Sequence, residues 1–459
     1  MRIFNHELTC DKSSPSVTLE NPASHPSSKD PSMQFLPRRQ FLSSSFAAAS
    51  AAALGAGAAQ AESPAARIFD AIKPALQPDN RPTTFLTWWT DPTTTMVVQW
   101  IGDDSAAALV HYDRKDRKKD DPWLCVQSTA TPFLTTNLKV HRCELKGLTP
   151  GTEYVFRIGG AEKPQRFRTM PAKANDTITF VSGGDCGTGN AAIATNIIAA
   201  KQEPYFAFIG GDLAYDNGSS PWTFLKFLKN YSQHMIDPQG RLIPMLSCFG
   251  NHEVKSSGKM KLTDAPSYYS VFDGFYRERS YGVMDIGDYL SLVLLDTGHV
   301  WPIKGEQTDW LAATLAQRTG RQHLIVANHV PAYPSYRAFE NKDGSAGTGG
   351  DNRKYWCPLF EHYNVDAVLE HHDHTYKRTH PITGGLVDKY GVPYLGDGSW
   401  GQIRSLNKPE NRPYLAKWSS SYHCTVHKLE GDQRFHVALA ETGRVADVCI
   451  TTKRPAKRG

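Results

Sequence analysis

The chain of 459 residues has 8 cysteines but no Cys-x-x-Cys pair, which excludes the usual zinc–thiolate spacing. It lacks a Gly-x-x-x-x-Gly-Lys pattern, so it has no nucleotide P-loop. No period of 20 to 50 residues marks a repeat array (about the span of solenoid units). The formal net charge is only +5, and no aromatic–basic array accompanies it, so nothing points to nucleic acid. The densest charged run, Arg114 to Asp121, mixes both signs and reads as a solvated loop. Long apolar runs are also missing. What is there is a chain 40% hydrophobic, enough to bury a substantial core, and long enough for two or three domains.

Residues 1–32 are polar and rich in Ser and Pro; they are expected to be disordered or to lie upstream of the true start, with Met33 as initiator. After it come Pro37-Arg38-Arg39-Gln40-Phe41-Leu42, a mild Ala-rich run from Phe46 to Ala59, and Ala59-Gln60-Ala61. The stretch 33–61 resembles a twin-arginine export signal cleaved after Ala61. The Ala-rich run is broken by Ser and Gly and makes a poor transmembrane helix. The mature chain is thus expected to be periplasmic or secreted, with no stable membrane span. Loss of Cys10 with this leader (residues 1–61) leaves an odd number of cysteines. Cys125 and Cys143 flank a strand-turn-strand stretch and are candidates for a bridge; another thiol stays free or pairs between chains. The oligomeric state is not legible.

From Thr83 the pattern is β. Short strands are expected at 84–89, 95–100, 108–112, 140–145 and 153–158, separated by turn residues and without helix signals, so residues 78–171 read as a β-sandwich. Leu148-Thr149-Pro150-Gly151-Thr152-Glu153-Tyr154 resembles the turn before a late strand of fibronectin type III domains. After a linker at 172–176 the pattern changes. Apolar, β-branched or aromatic runs at 178–181, 205–209, 243–246, 290–295, 324–327 and 365–369 lack polar alternation, so both their faces should be covered. Helical segments at 190–201, 222–234 and 306–318 lie between them. Residues 177–451 therefore read as a layered α/β domain.

Ligand-binding groups in α/β sheets gather beyond the carboxyl ends of strands. Beyond these runs stand Gly183-Gly184-Asp185-Cys186-Gly187, Gly210-Gly211-Asp212-Leu213-Ala214-Tyr215, Gly250-Asn251-His252-Glu253, Asn328-His329 and Glu370-His371-His372-Asp373-His374. Each contains a side chain able to bind a metal. The last is a dense polar knot after a buried strand, costly to bury unless something pairs with it. Five such ends in chain order are hard to explain as helix caps.

The set Asp185-x-Gly187, Gly211-Asp212-x-x-Tyr215, Gly250-Asn251-His252-Glu253, Val326-x-x-His329 and His372-x-His374 resembles the signature blocks of the purple acid phosphatases, within the calcineurin-like metallophosphoesterases. The match runs from about Pro78 to the C-terminus. The resemblance implies two metals: Fe(III) held by Asp185, Asp212, Tyr215 and His374, and a divalent Zn, Fe or Mn held by Asp212, Asn251, His329 and His372, with Asp212 bridging. Hard oxygen donors suit the trivalent ion, and imidazoles with an amide oxygen suit the divalent one. It implies an exported phosphatase that hydrolyses a small phosphate monoester with a hydroxide activated between the metals. His252 is the expected catalytic residue, near the substrate with Asn251, and Glu253 an orienter or a helix-start carboxylate. Asp296 is read as structural support. In an extended segment, His372 and His374 would share a face and His371 would point away.

Plant-type members carry further histidines after the fourth block; here Val330-Pro331-Ala332-Tyr333-Pro334-Ser335-Tyr336-Arg337 has none. Tyr333, Tyr336 or Arg337 would then bind substrate, with Tyr333 and Arg337 carried forward as candidates, or His252 acts alone. The Gly-rich insert 343–351 is expected to form a mobile rim, and Lys342, Arg353, Lys354, Lys377 and Arg378 to attract anions or simply be solvated. Two other functions stay open: a phosphodiesterase or phytase-like enzyme using the same centre, and a cell-surface binding protein stabilised by metal.

Overall fold

A computed structural model describes residues 82–103, 109–118, 120–161, 163–255, 261–406 and 408–454. The leader and the first residues of the sandwich lie outside them. No helix among the described residues is long and apolar enough to cross a membrane.

The N-terminal part contains β1 (Thr83–Thr87), β2 (Met96–Gly102), β3 (Leu109–Arg114), β4 (Leu124–Gln127), β5 (Thr129–Pro132), β6 (Lys139–Leu145), β7 (Glu153–Ile158) and β8 (Gln165–Arg168). They form two four-stranded antiparallel sheets, β1-β2-β6-β5 and β4-β3-β7-β8. β6 alternates buried His141, Cys143 and Leu145 with half-exposed Arg142 and Glu144, the period-2 pattern of a strand with one covered face. Cys125 is exposed on β4 and Cys143 is buried on β6; both are free thiols, as are all seven described cysteines. The candidate bridge is therefore absent: the Cys125 thiol faces solvent while that of Cys143 is turned into the buried interior.

The C-terminal part begins with β9 (Ile178–Gly183), α1 (Asn190–Ala200), β10 (Ala207–Ile209), α2 (Pro221–His234), β11 (Met245–Ser247), α3 (Pro266–Tyr276), β12 (Gly282–Ile286), β13 (Leu290–Leu294), α4 (Glu306–Ala316) and β14 (His323–Ala327). It continues with α5 (Cys357–His362), β15 (Ala367–Glu370), β16 (Tyr376–Thr379), the hairpin β17 (Ile382–Thr383) and β18 (Leu386–Val387), β19 (Tyr394–Asp397), β20 (Leu415–Ser419), β21 (His423–Glu430), β22 (Gln433–Ala440) and β23 (Val445–Thr452). Two mixed sheets result: β11-β10-β9-β21-β22-β23 and β12-β13-β14-β15-β19-β16-β20. Helices α4 and α5 cover one face of the second through Leu311, Leu315, Cys357 and Phe360, which join Val293, Val326 and Val368 in one cluster. The other face meets the first sheet. There Arg434 of β22 donates to His323 of β14 (3.1 Å) and pairs with Asp366 (3.2 Å), all three buried.

The parallel strands β9-β10-β11 and β13-β14-β15 point their carboxyl ends the same way within their sheets. The predicted strand ends therefore meet where the sheets join. The sheet β1-β2-β6-β5 braces this part: Gln99 Nε2 donates to Val271 O of α3 (2.9 Å) and Thr87 Oγ1 to Met245 O of β11 (2.8 Å).

Candidate metal centre

The loops after β9, β10, β11, β14 and β15 bring Asp185, Asp212, Tyr215, Asn251, His329, His372 and His374 together. Two donor sets form, Asp185–Asp212–His374 and Asp212–His329–His372, each with ligand atoms within 4.8 Å of one another, and Asp212 belongs to both. On one side His374 Nε2 lies 3.0 Å from Asp185 Oδ1 and 2.9 Å from the Tyr215 hydroxyl. On the other, His329 Nε2 lies 3.3 Å from Asp212 Oδ2, 3.3 Å from Asn251 Oδ1 and 3.0 Å from His372 Nδ1.

This convergence is built by unusual backbone. Asp185 (φ 59°), Asp212 (φ 53°), Tyr215 (φ 60°), His372 (φ 75°) and His374 (φ 57°) are all left-handed, a conformation that side chains other than glycine's enter at a cost. His372 and His374 thus reach the centre from a bend, not from the extended segment expected: left-handed φ replaces strand alternation as the reason they converge. His371 does point elsewhere. Its Nδ1 hydrogen-bonds Asn328 O (2.9 Å), and its ring fills the space in front of Gly184 and Gly210, where a Cβ would overlap it.

The acidic residues are closely supported. Glu253, fully buried, accepts N–H bonds from Asp212 (2.8 Å), Leu213 (2.7 Å) and Gly250 (2.7 Å), tying the end of β10 to the end of β11. It begins no helix, so of its two expected roles it takes that of orienter. Burial, with Asp212 adding to it, pushes its carboxyl up to about 8 despite the N–H groups of Leu213 and Asp212. At Asp212 burial pushes the carboxyl up as well, but the His329 imidazole overrides it and the net shift is downward. Burial lowers His329, yet Asp212 and Asp185 carry it up to about 9. The buried carboxylates thus draw positive charge to the centre. Asp212 Oδ2 is buried and, apart from the His329 imidazole 3.3 Å away, meets no hydrogen-bond donor among the described residues. Carboxylate, phenol, amide and imidazole donors around such an oxygen fit a pair of metal ions.

The expected substrate residues separate. His252 stands beside the donors: its N–H donates to Asp212 Oδ1 (2.8 Å), its ring lies 4.3 Å from that of Tyr215, and its side chain is 32% exposed. Tyr333 does not reach the centre; it is buried against Tyr394, Tyr414 and Phe339. Arg337 is committed to Asp373 (2.8 Å) and to the His372 carbonyl, bracing the ligand segment. The rim behaves similarly. Arg353 binds the carbonyls of Ala332, Thr348 and Phe339 and so stitches the Gly-rich insert to the loop after His329. Lys377 is buried on Glu370 and Arg378 pairs with Asp447, so neither is a solvated anion trap. Sequence reasoning missed Asn217, whose Oδ1 lies 2.5 Å from His252 Nδ1, and Arg404, whose Nε lies 3.2 Å from His374 Nδ1. It also missed His299, which packs on His329. Reading three residues further beyond the fourth run, past Asp296, would have found the last.

The class that fold and site define is a metal-dependent phosphoric ester hydrolase. A family model for calcineurin-like phosphoesterases matches residues 175–376, and one for the purple acid phosphatase N-terminal domain matches residues 82–171. Purple acid phosphatase 21 of Arabidopsis thaliana is 25% identical over 319 residues, 68% of this chain and 70% of that protein. Human acid phosphatase type 7 is 25% identical over 284 residues, 56% of this chain and 62% of that one. Among solved structures, yellow lupin purple acid phosphatase shares the fold with a TM-score of 0.67 at 19% identity, covering 82% of this chain and 75% of its own. A structure of PhoD follows at a TM-score of 0.58 and 12% identity. The chain belongs to the purple acid phosphatase family.

Proposed function

We propose that this chain is an exported phosphatase that hydrolyses small phosphate monoesters at a dinuclear centre. The observation that carries the reading is the pair of buried donor sets joined through Asp212, with His252 on their open side. Asp185, Asp212, Tyr215 and His374 would hold Fe(III); Asp212, Asn251, His329 and His372 would hold Zn, Fe or Mn. When bound, such a pair supplies Lewis acidity, polarising the phosphoryl oxygens and acidifying a water for attack on phosphorus.

The chain's own residues set the geometry. Asp185 Oδ2 accepts the His372 N–H (2.9 Å) and so locks the two half-sites together. An amide oxygen only accepts, so the 2.5 Å contact with Asn217 Oδ1 places a proton on His252 Nδ1. His252 Nε2, 4.0 Å from Asp212 Oδ2, is then the atom left to face the ester. Only the imidazolium carries a second proton, on Nε2; burial lowers the pKa of this ring, so that form belongs to acid pH, where Nε2 hydrogen-bonds the phosphate or gives that proton to the leaving oxygen.

The test is turnover of p-nitrophenyl phosphate and its bis-ester by protein loaded with Fe/Zn or Fe/Mn, alongside metal analysis. Monoester turnover above diester turnover is expected, with a visible band from Tyr215 phenolate on Fe(III). Asp212→Asn should lower kcat by about a hundredfold or more and reduce bound metal. Two bound metals with no turnover of either ester overturn the reading; a diester preference replaces it with the phosphodiesterase alternative. Export is supported by Arg38-Arg39, the Ala-rich run and Ala59-Gln60-Ala61. It predicts a mature N-terminus at Glu62 in the exported protein, and retention inside the cell when both arginines become lysine.

A further inference from the structure

The ligand His329 is flanked by a loop that none of the signature blocks includes. Residues 296–301 follow β13, the strand next to β14. Asp296, fully buried, organises the loop. Its Oδ1 accepts the N–H of His299 (2.8 Å), and its Oδ2 accepts those of Val300 (2.9 Å) and Trp301 (2.7 Å) together with the Ser280 hydroxyl (2.5 Å). Gln307 closes the loop from α4, accepting the Asp296 N–H (2.9 Å) and donating to its carbonyl (3.0 Å).

This turn delivers one side chain to the centre. The His299 ring, 8% exposed, lies edge-on to the His329 ring at 5.8 Å and 69°. Its Nε2 sits 3.0 Å from Thr297 Oγ1, and the same hydroxyl accepts the N–H of Val330 (3.2 Å), the residue after His329. Thr297 thus ties the loop to the ligand-bearing strand end, and His299 walls one side of the ligand ring. From the other side, His329 Nδ1 is held by Gly210 O (2.8 Å).

We propose that His299 is a positioning residue for the second metal: with Thr297 it holds His329 in the orientation that the half-site Asp212–Asn251–His329–His372 requires. The proposal rests on the dinuclear reading above. Partners that orient a metal-binding imidazole typically change metal affinity about 10- to 100-fold when removed. The half-site containing Tyr215 and His374 has no contact with this loop among the interactions described, so the effect is confined to one ion.

The test titrates metal-stripped full-length protein with Zn2+ by calorimetry and counts bound ions by elemental analysis, with thermal unfolding as the fold control. His299→Ala should weaken one of two binding events by about 10-fold or more and leave the other unchanged. His299→Phe keeps the edge-on ring and should recover most of that affinity; a purely structural role would give equal losses at both sites. If His299→Ala does not fold, Thr297→Val must show the same selective loss. Two events of wild-type affinity in His299→Ala, or equal weakening of both, overturn the proposal. A wild-type protein that binds no metal pair instead overturns the dinuclear reading itself.

Discussion

Each residue of the knot at 370–374 has its own neighbour, and so its own task. Glu370 accepts the Ala332 N–H and pairs with Lys377; Asp373 accepts the N–H groups of Ser335 (2.6 Å) and Tyr336 (2.8 Å). The two carboxylates therefore anchor the loop after His329. His372 and His374 face the two donor sets, while His371 is packed between the sheets. The expected result is that His372→Ala lowers binding of the divalent ion first and His374→Ala abolishes the visible band. His371→Ala should keep both metals but lose on the order of 2–4 kcal/mol of stability, because its ring fills a buried space. Metal analysis, spectra and urea unfolding of the three variants check this. Loss of metal from His371→Ala alone would reverse the assignment.

At the scale of elements, legibility followed burial chemistry. The apolar runs that became β9, β10, β11, β13, β14 and β15 are buried at every position but Thr179, so their composition alone marks them. β4 is almost wholly exposed although it reads Leu-Cys-Val-Gln, and β5, Thr-Ala-Thr-Pro, is exposed and leaves no apolar signature. β21 is buried yet polar, with His423, Thr425 and His427 facing partners such as Ser182 (2.7 Å) that no linear pattern reveals. α3 is absent from the expected helices because Tyr, Phe and Gly displace the better helix formers; packing of Phe249 against Tyr268, Tyr269 and Tyr276 holds it in place. The link between β15 and β16 is the Glu370–Lys377 pair, with side chains 0% and 2% exposed. Breaking one partner of such a buried pair typically costs about 3–5 kcal/mol. Glu370→Gln should lose stability on that scale in urea unfolding. A loss below about 1 kcal/mol would show that the pair does not hold the loop.

At the scale of the molecule, the joint between the two sheets is charged and should respond to pH. Burial, then the charges of Arg434 and Lys453, push His323 down to about 3. Arg434 Nη1 donates to its Nδ1, which suits the neutral ring. The unfolded chain binds this proton near the ordinary value of about 6.5 and the folded chain does not. Its contribution is therefore complete above about pH 6.5 and is lost as pH falls from there toward 3, at up to about 1.4 kcal/mol per pH unit. His323→Asn keeps an acceptor for Arg434 without the proton site. Unfolding free energies measured between pH 7 and 4 should fall less steeply for this variant, by up to one proton's slope. Identical slopes would remove His323 from the acid response.

The sequence by itself determined the layered α/β class, the sandwich before it and the order of the strand-end blocks. Apolar continuity and turn chemistry are local properties, written residue by residue. It also marked His371 as unlike its neighbours. Tertiary structure alone decided why. Left-handed backbone at His372 and His374 turns both imidazoles inward, and the absence of a Cβ at Gly184 and Gly210 makes room for His371. It likewise drew Tyr333 into the core, spent Arg337 on Asp373, and delivered Asn217 and His299 to the centre. Those placements depend on contacts between residues far apart in the chain, whose distances no spacing along a single segment encodes.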